Sequence, residues 1–104
     1  MNTAPLRLTE KQKKHLRGLG HALKPVSRLG SAGVSEAFLA EFETTLSHHE
    51  LVKLKVTAAT REDRDAAIQA VAEHTGAEVV TRIGNIALLY RPDPEGARLE
   101  LPPA

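Results

Sequence analysis

The chain contains no cysteine. Disulfides, thiolate zinc sites and thiol nucleophiles are thereby excluded, and the composition suits a reducing, cytoplasmic setting. Aromatic residues are limited to Phe38, Phe42 and Tyr90. A core must then be built from Leu, Val, Ile and Ala, and base-stacking platforms of the RRM or OB kind lack the side chains they need. No apolar run approaches the ~20 residues of a membrane span. The opening "MNTAPLRLTEKQKK" has no apolar segment of the kind a secretory signal requires. The dipeptide Gly-Lys never occurs, which removes a P-loop. Gly18-Leu19-Gly20 begins like a dinucleotide fingerprint, but Leu23 stands where the third glycine belongs and no strand precedes it.

Candidates for catalysis or metal binding are equally thin. His48 and His49 are adjacent, so their imidazoles diverge on a helix rather than converge on a metal. Glu62, Asp63 and Asp65 crowd one predicted helix start, where their simplest role is to compensate the helix dipole. No histidine sits in a nucleophile motif. The sequence gives no reason to expect an enzyme, a cofactor or a metal.

What is present is an uneven charge distribution. The 104 residues carry a formal net charge of only +1. Residues 1–28 hold seven cations (Arg7, Lys11, Lys13, Lys14, Arg17, Lys24 and Arg28) against Glu10 alone, a net of +6 that leaves −5 for the rest. Such asymmetry points to an anionic partner for the basic part.

The hydrophobic pattern supports one domain. Thr9 and Gln12 form a capping box that starts a helix. Leu16, Leu19 and Leu23 follow as one apolar stripe, while Lys13, Lys14, Arg17 and His21 fall on a different face roughly 100° wide. Gly18 and Gly20 weaken that helix and invite it to fray, and Pro25 is its latest stop. Residues 26–29 read as a short strand. Ser35 caps a second helix with Phe38, Leu39, Phe42 and Leu46 inward. "LVKLKVT" alternates as a half-buried strand, with Lys53 and Lys55 sharing one side. Thr60 caps a third helix that Gly76 ends. Gly84-Asn85 predicts a type II′ hairpin, and the apolar residues 86–90 predict a strand covered on both faces. The order α-β-α-β-α-β-β predicts a single α/β domain over residues 1–92, its helices packed on a four-stranded mixed sheet. Residues 93–104, rich in proline and charge, predict a loose tail.

The junction Gly30-Ser31-Ala32-Gly33 joins a strand to a helix. A loop with two glycines lets backbone N–H groups approach a phosphate closely, and the helix N-terminus behind it adds positive potential. K-homology RNA-binding modules clamp a nucleic-acid backbone with such a loop. A plain tight turn is the competing reading, and Glu36 in the first helical turn would repel a phosphate bound too close.

The pieces "HALKPV", Gly30–Gly33, "HHELVKLKV", "TGAEVV" and Gly84 through "LLYRP" occur in an order and spacing that resemble the YhbY-type, or CRM-domain, RNA-binding proteins. The resemblance covers residues 8–92. It implies a fold similar to the C-terminal domain of bacterial translation initiation factor three. It also implies association with large-subunit (pre-50S) ribosomal precursors, as in stand-alone bacterial members. The implied RNA contacts are Gly30, Ser31, Ala32 and Gly33 with Lys24 and Arg28, to which the basic helix face adds Lys13, Lys14, Arg17 and His21. Relatives often carry Lys or Arg between the two glycines. Here Ser31-Ala32 stand there, so charge must come from Arg28 or Arg17. The expectation is a cytoplasmic, monomeric, non-catalytic RNA-binding domain with ribosomal RNA as partner, no membrane and no cofactor. The alternative is a module that docks on a ribosomal protein or assembly factor without touching RNA.

Overall fold

Three side-chain caps and one left-handed glycine set the helix boundaries in the computed structural model, which describes residues 8–30 and 33–103. The Thr9 hydroxyl accepts from the Gln12 N–H at 3.1 Å while the Gln12 side chain accepts from the Thr9 N–H at 3.0 Å. This complete capping box opens α1 (Glu10–Gly20). Ser35 accepts from the Phe38 N–H at 3.1 Å and opens α2 (Glu36–His49). Thr60 accepts from the Asp63 N–H at 3.0 Å and opens α3 (Arg61–Thr75). Gly76, at φ 74°, terminates α3 in the conformation glycine adopts most cheaply.

The strands are β1 (Ser27–Leu29), β2 (Leu51–Val56), β3 (Glu78–Ile83) and β4 (Ile86–Tyr90), and the chain order is the expected α-β-α-β-α-β-β. They form one four-stranded sheet in the order β1-β2-β4-β3. β1 runs parallel to β2, and the other pairs are antiparallel. Gly84, at φ 57°, is the first of two loop residues between the paired Ile83 and Ile86, and Asn85 has no positive φ, as a type II′ loop requires.

Each sheet face has its own core. Phe42, Leu46, Leu54, Ile68, Val71 and Leu89 join β2 and β4 to α2 and α3 on one face. Leu16, Leu51, Val80, Leu88 and Tyr90 form the core on the α1 face, where Leu99 and Leu101 add cover. β4 serves both, with Ala87 and Leu89 toward one core and Leu88 and Tyr90 toward the other. That is why its sequence is apolar at every position.

Two expectations are corrected. The stripe Leu16–Leu19–Leu23 is buried only at Leu16, while Leu19 and Leu23 remain 38% and 37% exposed. The helix instead turns Leu16 and Gly20 toward the sheet, four residues apart on one face. A Cβ built on Gly20 would lie 2.7 Å from a methyl of Leu88. The glycine that weakens the helix locally thus permits its close approach to β4, and α1 continues through Gly18 and Gly20.

The second correction concerns the loose tail. Up to residue 103 it is held down, by Glu50. This residue caps α2 at φ 61° and is 1% exposed. Its carboxylate accepts from the backbone N–H groups of Asp93 (2.8 Å), Arg98 (3.0 Å) and Leu99 (2.9 Å). The Arg98 guanidinium donates to the carbonyls of Ser47 (2.7 Å) and His48 (2.8 Å) at the end of α2, which would otherwise lack partners. The Gln12 side chain donates to the Pro102 carbonyl at 3.0 Å. Burial opposes ionisation of Glu50, but the three N–H donors and the Arg98 charge outweigh it and hold the pKa below the ordinary carboxylate value. Burial, and secondarily the Glu50 charge, push the Tyr90 phenol upward.

Candidate nucleic-acid interface

Because β1 and β2 are parallel, both strands end at the same edge of the sheet, and both following helices start there. Gly30 and Gly33 lie at this edge, against the β2–α3 connection, where they share one depression with Thr57, Ala58, Ala59 and Asp63. The Gly33 N–H donates to the Gly30 carbonyl at 3.1 Å, closing a turn, and Gly33 has φ 90°. The Gly33 amide is therefore engaged within the turn. Ser31 and Ala32 lie outside the described residues. Glu36 begins α2, and Asp63 sits beside the loop on its α3 side. An anion is repelled from that side.

The opposite face of the same edge is cationic. Leu29, Leu54 and Val56 point into the core beneath α2 and α3. Side chains alternate along a strand, so Arg28, Lys53 and Lys55 point to the α1 face. Register pairs Arg28 with Lys55, Lys55 with Ile86, and Ile86 with Ile83. One row thus crosses all four strands, spanning about 14 Å at the usual strand spacing. The next row carries Lys53, Leu88 and Thr81. Lys53 Nζ donates to the Leu23 carbonyl at 3.0 Å, which ties the middle of the α1–β1 connection to the sheet.

The expected contact residues divide into groups. Arg28 stands in the row beside Lys55, two residues before Gly30. Arg17 and His21, on the last turn of α1 and its cap, line a groove with Lys53. Lys24 is exposed in the α1–β1 connection. Lys13 points to the far edge, where its ammonium lies 4.0 Å from the Glu78 carboxylate. Lys14 faces outward near Lys11, His15 and Pro102. The helix face read as one basic surface is therefore three, of which only Arg17 and His21 join the sheet cations. Lys53 and Lys55 are the additional members. Their alternation in "LVKLKV" carried the signal, but only the strand order shows that their side of β2 is also that of Arg28.

Phe42 and Tyr90 are buried and the half-buried Phe38 is stacked on Phe42 with ring centroids 5.7 Å apart, so no Phe or Tyr ring stands on the cationic face. Among the described residues no three metal-ligating side chains converge, and no helix is long and apolar enough to cross a membrane.

Comparison with known proteins gives a consistent result. The model of the CRS1 / YhbY (CRM) domain matches residues 8–91. A Haemophilus influenzae protein named "RNA-binding protein" is 48% identical over 95 residues, which cover 91% of this chain and 95% of that protein. Bacillus subtilis YqeI, named a probable RNA-binding protein, is 33% identical over 95 residues, covering 91% of this chain and 99% of that one. The solution structure of the hypothetical protein SAV1595 from Staphylococcus aureus superposes with a TM-score of 0.78 at 33% identity, covering 92% of this chain and all of the other.

Proposed function

The chain belongs to the CRS1/YhbY (CRM) domain family, and from that premise we propose that it binds RNA without catalysis, holding the phosphate backbone at the Gly30–Gly33 turn and on the cations beside it. The observation that carries this reading is the cross-strand pair Arg28–Lys55 next to the turn. Like charges placed side by side on a sheet destabilise it, and an anionic partner turns that cost into affinity. The names of the relatives agree with an RNA partner. The resemblance of the sequence to stand-alone bacterial members directs the proposal to ribosomal RNA of the pre-50S particle.

The two glycines differ as test positions. A Cβ on Gly33 meets nothing but is strained by φ 90°, whereas Gly30 has neither a neighbour within 4 Å nor a positive φ. Gly30→Asp therefore tests binding with folding preserved. It is expected to weaken binding of a large-subunit rRNA transcript about tenfold, because it sets a carboxylate where a phosphate is to be held, a cost of about 1.4 kcal/mol. Wild-type binding should weaken with salt, with a log–log slope of about −0.7 per phosphate neutralised on single strands. Filter binding across a salt series measures both. Wild-type affinity in the folded variant would reduce the loop to a turn, and salt-independent binding would remove the RNA-backbone reading.

A further inference from the structure

α1 covers only part of its sheet face. Beyond Gly20 the sheet is open, leaving a groove of about 250 Å³. Its floor is apolar, made by Ile83, Ile86 and Leu88 with Thr81, and its polar wall is made by the cations Arg17 and Lys53 with His21 beside them, with no carboxylate among the lining residues. The apolar floor is accessible, since Ile83 is 72% exposed. Isolated exposed apolar residues need no explanation. This one is continuous with a recessed apolar floor and ends the row Arg28–Lys55–Ile86–Ile83 that starts beside the Gly30–Gly33 turn.

We infer that this groove seats one unstacked base of single-stranded RNA, whose flanking phosphates meet Arg17 and Lys53 on one side and Lys55 and Arg28 on the other. The inference rests on the RNA-backbone reading above and adds a base subsite to it. Three observations favour this occupant. The volume is below the range of sites for drug-sized ligands, so it suits a single ring. An apolar floor between cations and free of carboxylates complements a planar ring between two phosphates, whereas an acidic peptide would leave the floor unused. The cationic row runs on the face of the groove and starts beside the turn at the end of β1, so one strand of RNA reaches both. The floor itself offers aliphatic side chains, because the Phe and Tyr rings of this chain lie elsewhere. Such a seat selects unpaired over duplex RNA, since a paired base is not available to enter it.

The three isoleucines supply the test. Ile83 and Ile86 form the floor, and Ile68 is buried beneath α3 on the other face. In the full chain with 13C-labelled isoleucine δ1 methyls, titration with a 12-residue oligoadenylate is expected to move the Ile83 and Ile86 methyls upfield, as stacking under a purine ring does, and to leave Ile68 in place. Inorganic polyphosphate should compete for the cations without that upfield shift. Ile83→Ser, an exposed change that preserves charge, should weaken oligoadenylate binding about three- to tenfold at an unchanged salt slope. If the oligonucleotide binds and perturbs amides near Gly30 and Gly33 while both methyls stay still, the base subsite is overturned and the backbone reading stands. Equal methyl shifts with polyphosphate would overturn the subsite as well. Absence of salt-dependent binding to any RNA would overturn the backbone reading and this inference with it.

Discussion

Replacing Glu50 with alanine is expected to lower the unfolding free energy by about 2–4 kcal/mol. The carboxylate gathers three backbone N–H groups from residues 93–99 at 2.8–3.0 Å, and its removal leaves those donors without an acceptor in a part-buried site. The loss is capped because the segment can peel away and hydrate them. Peeling uncovers the core on the α1 face, which Leu99 and Leu101 help to cover. Trypsin should then cleave after Arg98 in the variant well before wild type. Glu50→Gly separates the two roles of this position. It too lacks the carboxylate, but it relieves the backbone at φ 61°, so it should be less destabilised than Glu50→Ala by about 1 kcal/mol. Chemical denaturation of the three proteins measures the order. Equal stability of wild type and Glu50→Ala would show that the segment is not anchored there.

Acid should reproduce part of this loss. The folded pKa of Glu50 lies below the ordinary value of 4.5, so the folded state binds a proton less readily than the unfolded chain. Its stabilisation is fully present above about pH 4.5 and fades as pH falls through the folded pKa. Thermal midpoints measured from pH 6 downward should drop in wild type through that window, and the drop should be smaller in Glu50→Gln.

The contrast between Glu50 and the rest of the fold marks what the sequence could reveal. Thr9, Ser35 and Thr60 act on donors three residues away, Gly76 and Gly84 act on their own φ, and the alternation of β2 and the apolar run of β4 declare their faces. Those devices are local, and a reader of the chain finds them in place. Glu50 reaches 43 to 49 residues along the chain, so neither the anchor nor its target is recognisable alone, and the prolines and charges of residues 93–103 by themselves suggest looseness. The same limit applied to the site. Helical spacing grouped Lys13, Lys14, Arg17 and His21, but Glu78 draws Lys13 toward β3 and Lys14 faces away from the groove. Spacing along a helix says which residues share a face. It does not say which part of the sheet that face meets, and the stripe through Leu19 and Leu23 failed for that reason.

The division of the cations makes the largest functional prediction. Arg28→Glu with Lys55→Glu should reduce affinity for single-stranded rRNA about 100-fold or more near physiological salt, and should shrink the log–log salt slope by about 1.4, two phosphates at 0.7 each. The fold should survive the double change. Arg28 is exposed and Lys55 half-buried, neither takes part in an ion pair found among the described residues, and the exchange replaces one like-charge pair by another. Net charge alone is not the cause if position matters. Lys11→Glu with Lys14→Glu makes the same change in total charge on the outward side of α1. Long-range attraction is screened within about 8 Å at physiological salt, so that control should cost less than about threefold and leave the slope nearly intact. Equal losses from the two pairs would mean that RNA meets the protein through diffuse attraction, with no privileged row across the sheet. A loss confined to Arg28 and Lys55 would place the strand of RNA on the α1 face, running from the glycine turn toward the groove beneath the end of the helix.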